Sequence, residues 1–127
     1  MAVDMAVARR NLELREERKR NDWERLRQRA NADADKIISM IVEHYSPLRI
    51  YQWGSVLSSG LFRDYSDIDI AVEGLVGPLD VLNILRDAED LTQFPIHIVE
   101  LDKTEHVHAE SIRRKGALIY ERKSTGQ

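Results

Sequence analysis

Apolar or small side chains at Trp23, Leu26, Ala30, Ala34, Ile37, Ile41 and Tyr45 recur every three or four residues, with Met40 beside them, and Ser46-Pro47 closes the run. That period is one face of a helix, so residues 23–45 predict a long amphipathic helix that needs an apolar surface to lie on. The residue before a proline is pushed out of helical backbone, which puts the end at Ser46. At the other end Asn21 is placed to cap the first turn, with Glu24 three residues on to reach back. A helix of this length spans roughly 35 Å at about 1.5 Å per residue. A small sheet covers less than that, so the surplus of the stripe predicts packing against another chain, a second copy or a partner.

Extended segments follow. "LRIYQW" (48–53), with its branched and aromatic residues, predicts a first strand, and "DIDIAVEG" (67–74) a second. Gly77-Pro78 predicts the opening of a helix with proline in its first position, and Leu79, Leu82, Leu85 and Ala88 predict its buried face. "FPIHIVEL" (94–101) predicts a third strand, 105–115 a short helix ended by Gly116, and "ALIYER" a last extended piece. This order predicts an α/β (α+β) domain, with helices packed on a small mixed sheet behind a long N-terminal helix.

With 127 residues the chain has room for one core and little more. Residues 9–29 carry nine Lys or Arg against five Asp or Glu, whereas the whole chain has a formal charge of −3. The arm is therefore basic and the body acidic. The arm reads as a solvated helix extension laced by opposite charges, or as a docking segment for a partner protein or RNA. Residues 1–22 are taken as this charged arm, 23–122 as the domain and 123–127 as a flexible tail. The overall acidity argues against nucleic acid as a partner. There is no cysteine for disulfide, thiolate or thiol chemistry, no apolar run long enough to span a bilayer, and no secretory signal pattern, so the expectation is a cytoplasmic protein without membrane association.

The second strand carries the chemistry. Side chains alternate along a strand, so Asp67, Asp69 and Ala71 point one way while Ile68, Ile70 and Val72 point the other, toward the helices. Two neighbouring carboxylates repel unless a cation sits between them, and Mg2+ suits a pair of carboxylates completed by phosphate oxygens and water. Gly54-Ser55, directly after the first strand, supplies a position without Cβ where a ligand comes close, plus a hydroxyl and an amide for phosphate. Arg63 and Ser66, on the loop before the aspartates, are further candidates for phosphate contact. As an ordered set these residues make half of a phosphoryl or nucleotidyl transfer site.

"QWGSVLSSGLFRDYSDIDIAVEG" resembles the Gly-Ser, spacer, Asp-x-Asp signature of the DNA polymerase beta-like nucleotidyltransferase superfamily, in particular its minimal nucleotidyltransferases. The spacer from serine to first aspartate is eleven residues, one more than usual, and the resemblance runs from about 30 to 122. It implies that Asp67 and Asp69 hold Mg2+ or Mn2+, that Gly54 and Ser55 bind the phosphates of ATP as substrate, and that the partner is a helical HEPN-type toxin which the chain modifies or masks.

One departure bears on mechanism. The superfamily places a third carboxylate on the next strand, and here that position is His97. Glu100, three residues on, should project to the opposite face. A neutral imidazole can ligate a metal or take a proton but brings no negative charge. His97 is therefore either a metal or substrate contact or a histidine with no chemical role. His106 and His108 read as surface, and His44 as a complement to the helix C-terminus. Two functions stay open: an adenylyltransferase acting on a protein hydroxyl, with catalytic residues Asp67, Asp69 and His97, and a weakened relative that works by masking its partner. The short length argues against a small-molecule acceptor.

Overall fold

In a computed structural model, which describes residues 4–58 and 60–123, the elements run α1 (Met5–Tyr45), β1 (Arg49–Trp53), a 3-10 turn (Ser55–Leu57), β2 (Ile68–Glu73), α2 (Asp80–Glu89), β3 (Ile96–Glu100), a second 3-10 turn (Leu101–Lys103), α3 (His106–Lys115) and β4 (Ala117–Glu121). The strands form one mixed sheet in the order β3-β2-β1-β4, with β2 and β3 parallel and both β1 pairings antiparallel. The predicted α+β class and long first helix are observed. The expected tail, beyond residue 123, lies outside the described residues.

The first helix does not begin at Asn21. It starts sixteen residues earlier, where the Asp4 carboxylate accepts the amides of Ala6 and Val7 at 3.0 and 3.3 Å, and Asn21 lies inside it. Residues 5–20 hold good helix formers and neither glycine nor proline, so nothing interrupts the helix for Asn21 to cap. The charged arm is thus the helix itself, continued into solvent. Ser46 ends it in the left-handed region at φ 46°, before Pro47.

The sheet is covered unequally on its two faces. On one, Ala30, Ala34, Ile37, Ile38 and Ile41 of α1 and Ile84 and Ala88 of α2 meet Ile50, Ile68, Ile70 and Val72 in a single core. The stripe of 23–45 is spent there, and the exposed large apolar residues of α1 are Met5, Val7 and Leu12 of the arm. The surplus that suggested a second chain is therefore not found in 23–45. Two expectations for α2 are also corrected. Pro78 lies in the turn before the helix, where Gly77 N donates to Asp80 at 2.9 Å, and Leu79 and Leu82 are exposed. The helix begins at Asp80 and buries Ile84 together with Ala88, which was expected on that face.

On the other face, α3 packs Ala109 and Ile112 against Tyr51, Ala71 and Leu101, with Val99 and Trp53 at the margin. Beside this small core Glu73, 7% exposed, takes Arg49 at 2.5 Å and Arg113 of α3 at 2.7 Å, and Arg49 also reaches Glu121 at 2.6 Å. Burial pushes the Glu73 carboxyl up, but the hydrogen bonds and charges of Arg113 and Arg49 outweigh it and hold the group below the ordinary glutamate range. A carboxyl depressed in the folded state contributes stability that is present above its unfolded pKa and lost as pH falls through its folded one. Glu73→Gln is therefore expected to lower stability by about 2–4 kcal/mol at neutral pH, because it leaves two arginines short of a partner. Urea titrations of both proteins should show this difference shrinking as pH drops below the ordinary glutamate pKa of 4.5.

Candidate active site

Register across the sheet lays the open face out in rows. Arg49 pairs with Glu73, then Tyr51 with Ala71 and Val99, then Trp53 with Asp69 and His97. The helix α3 packs on the first two rows, and its end at Gly116 comes up beside Trp53 of the third. Alternation puts Asp69 on this face, where His97, its neighbour in the row, keeps a side chain that is 57% exposed.

Asp67 sits one residue before β2 and is exposed; Asp69 is more enclosed, with 18% of its side chain accessible. The His97 Nδ1 is 3.4 Å from the Asp69 carboxylate, and the His97 ring lies against Trp53 with centroids 5.7 Å apart at 59°. Burial pushes the Asp69 carboxyl above the ordinary carboxylate range; His97 pulls it down, and the neighbouring Asp67 charge pushes it up again. Gly54 adopts φ 87° and ψ −166°, and a Cβ there would run into the Asp69 carboxylate. This is backbone that glycine alone takes readily. Ser55 opens the 3-10 turn beside it.

The remaining candidates hold the loop. The Ser66 Oγ accepts the Arg63 amide at 2.8 Å, and the Arg63 guanidinium donates to the carbonyls of Gly60 and Phe62 while lying over the Trp23 ring, 4.1 Å from its centroid. Glu100 pairs with Val72 in register, on the face away from the aspartates, as alternation requires. His106 and His108 are exposed on the first turn of α3, away from this row. The sequence pattern does not single out Trp53 or its contact with His97; the signal it offers is an aromatic directly before Gly54.

Among the described residues no three or more His, Asp or Glu side chains converge to hold a metal ion by themselves. Two carboxylates, one of them partly buried and repelled by the other, fit a divalent cation that takes a couple of protein oxygens and fills its shell with phosphate oxygens and water.

The family model "Polymerase beta, Nucleotidyltransferase" matches residues 35–125, most of the chain and all of this row. The chain belongs to this family. It is similar in fold to a chain in the crystal structure of a mutant toxin–antitoxin pair, MntA–HpeT, with a TM-score of 0.58 and 18% identity over 69% of this chain and 72% of that one. It is also similar to a solved structure described as a minimal nucleotidyltransferase, with a TM-score of 0.57 and 26% identity over 75% of this chain and 93% of the other. No curated protein matches it. No described helix of this nucleotidyltransferase-family chain is long and apolar enough to cross a membrane.

Proposed function

We propose that the chain is a metal-dependent nucleotidyltransferase that moves AMP from ATP onto a hydroxyl of a protein partner, in an antitoxin-like role toward a HEPN-type toxin. The observation that carries this reading is the close set of Gly54, Asp69 and His97 at one end of the sheet, with Asp67 two residues before Asp69. The fold likeness to a toxin–antitoxin structure supports the choice of partner.

Asp67 and Asp69 would hold Mg2+ or Mn2+, which when bound neutralises charge on the phosphates. Gly54 and Ser55 hold the triphosphate. The acceptor oxygen bonds to the α-phosphorus, the bond from that phosphorus to the β-phosphate oxygen breaks, and pyrophosphate leaves with the electron pair. The hydroxyl proton passes to the imidazole of His97, whose side chain is 57% exposed.

The test is transfer of label from α-phosphate-labelled ATP to proteins of a source-cell extract, with Mg2+ or Mn2+. A labelled protein band is expected; its absence from folded protein, beside an active relative labelling its own target, overturns the reading. His97→Asp then separates catalysis from masking. In a working transferase that uses the imidazole, the substitution leaves transfer unchanged or lowers it. A rise of about a hundredfold or more, the scale of a restored catalytic group, would favour the second reading, a masking module that has lost its third acid. That reading is favoured by the single specific fact that His97 stands in register beside Asp69 where an acid is expected.

A further inference from the structure

Residues 23–31 of α1 precede the stretch matched by the family model, yet they grip the loop that carries Gly54 and Ser55. Arg27 Nη1 donates to the Val56 carbonyl at 3.1 Å, and Asn31 Nδ2 reaches the same oxygen at 3.4 Å. The guanidinium is itself fixed, since its Nε and Nη2 donate to the two Glu24 oxygens at 2.9 and 2.7 Å and only 19% of the side chain is exposed. Farther along the same loop, Arg63 stacks on Trp23, one turn before Arg27. By contrast Arg25, paired with Asp22 on the same helix, is 70% exposed.

Val56 is the central residue of the 3-10 turn. The turn's own bonds run from Leu57 N to the Gly54 carbonyl and from Ser58 N to the Ser55 carbonyl, so the Ser55 and Val56 amides are not used in closing it. A planar peptide makes the Val56 carbonyl a handle on the turn's orientation. A guanidinium clamped by a carboxylate on one edge presents its remaining donor in a fixed direction, which a lysine cannot do.

We infer that Arg27, braced by Glu24 and assisted by Asn31, is a positioning residue that sets the Gly54-Ser55 turn to receive the phosphates of a nucleoside triphosphate. This rests on the transferase reading of that turn. The brace belongs to the extended helix, so it is a device of this chain beyond the region matched by its family model.

The experiment is calorimetric binding of Mg2+ with a non-hydrolysable ATP analogue to the full chain and to Arg27→Ala, Arg27→Lys and Arg25→Ala, at a temperature where thermal melts show all of them folded. Arg27→Ala is expected to weaken binding about tenfold, the worth of one charge-assisted hydrogen bond. Arg27→Lys should recover part of the loss, and Arg25→Ala should bind as the natural chain does. Unchanged binding in Arg27→Ala overturns the inference and leaves the transferase reading standing. An equal loss in Arg25→Ala also overturns it, by assigning the effect to helix charge alone. Failure of the natural chain to bind removes the transferase reading and the inference with it. If Arg27→Ala does not fold, Asn31→Ala decides: a loss of about threefold, matching a weaker neutral hydrogen bond, is expected, and no loss overturns the inference.

Discussion

Asp69→Asn is expected to reduce nucleotide transfer by on the order of 10³-fold, the scale of losing a group that stabilises charge at the reacting phosphate. The substitution keeps the side chain's shape and removes its charge. It should leave the thermal midpoint equal or higher, because the carboxylate is partly buried, repelled by Asp67, and held against the Gly54 backbone. Asp67→Asn should lose activity on the same scale, with less effect on stability because Asp67 is exposed. Transfer assays beside thermal melts check both quantities. A large drop in midpoint with proportionate loss of activity would mean that Asp69 serves the fold, and activity retained in both variants would remove the carboxylates from the reaction. Loss of function without loss of stability is the pattern of a site whose like charges strain the fold for the sake of chemistry.

Gly54→Ala is expected to damage both the fold and the reaction. Two costs add. At φ 87° and ψ −166° the backbone lies in a region that is almost closed to residues with a Cβ, worth about 1–3 kcal/mol. The new Cβ also meets the Asp69 carboxylate, on a side chain already bounded by His97, whose ring lies against Trp53. The variant should lose roughly 2–4 kcal/mol of stability and essentially all transfer, since relief moves either the turn or the carboxylate. The two costs separate in a double-mutant cycle. With Asp69→Ala in place the collision is gone and only the backbone cost remains, so Gly54→Ala should destabilise less in that background than in the natural one. Additive urea midpoints would show that the contact between Gly54 and Asp69 carries no energy.

Much of this site is legible in the residue pattern alone. Alternation along 67–72 places the aspartates on the face opposite Ile68, Ile70 and Val72, and the register bears that out for Asp69, while Asp67 lies one residue before the strand. Alternation also puts Glu100 on the wrong face to replace the missing acid. Helix boundaries are less legible where two local signals compete. Asn21 and Glu24 spell a cap, but a cap acts only where the chain before it is not helical, and Met5–Arg20 is helical. Gly77-Pro78 spells a helix start, but Asp80 offers its carboxylate to the Gly77 amide and the helix opens after it.

What the sequence by itself determined is whatever depends on neighbours a few residues apart: the period of α1 and its stop at Ser46, the extended runs, the glycine before a serine, and the alternation of Asp67 and Asp69 with isoleucines. Only the tertiary structure decided that α3 crosses to the carboxylate face. It alone decided that Trp53, Asp69 and His97 form one row from three strands, and that Arg27 reaches the Val56 carbonyl 29 residues away. The division has a physical reason. Backbone preference and side-chain period act within a turn or a strand, whereas the covering of a face and the aim of a guanidinium depend on how separate elements share buried area.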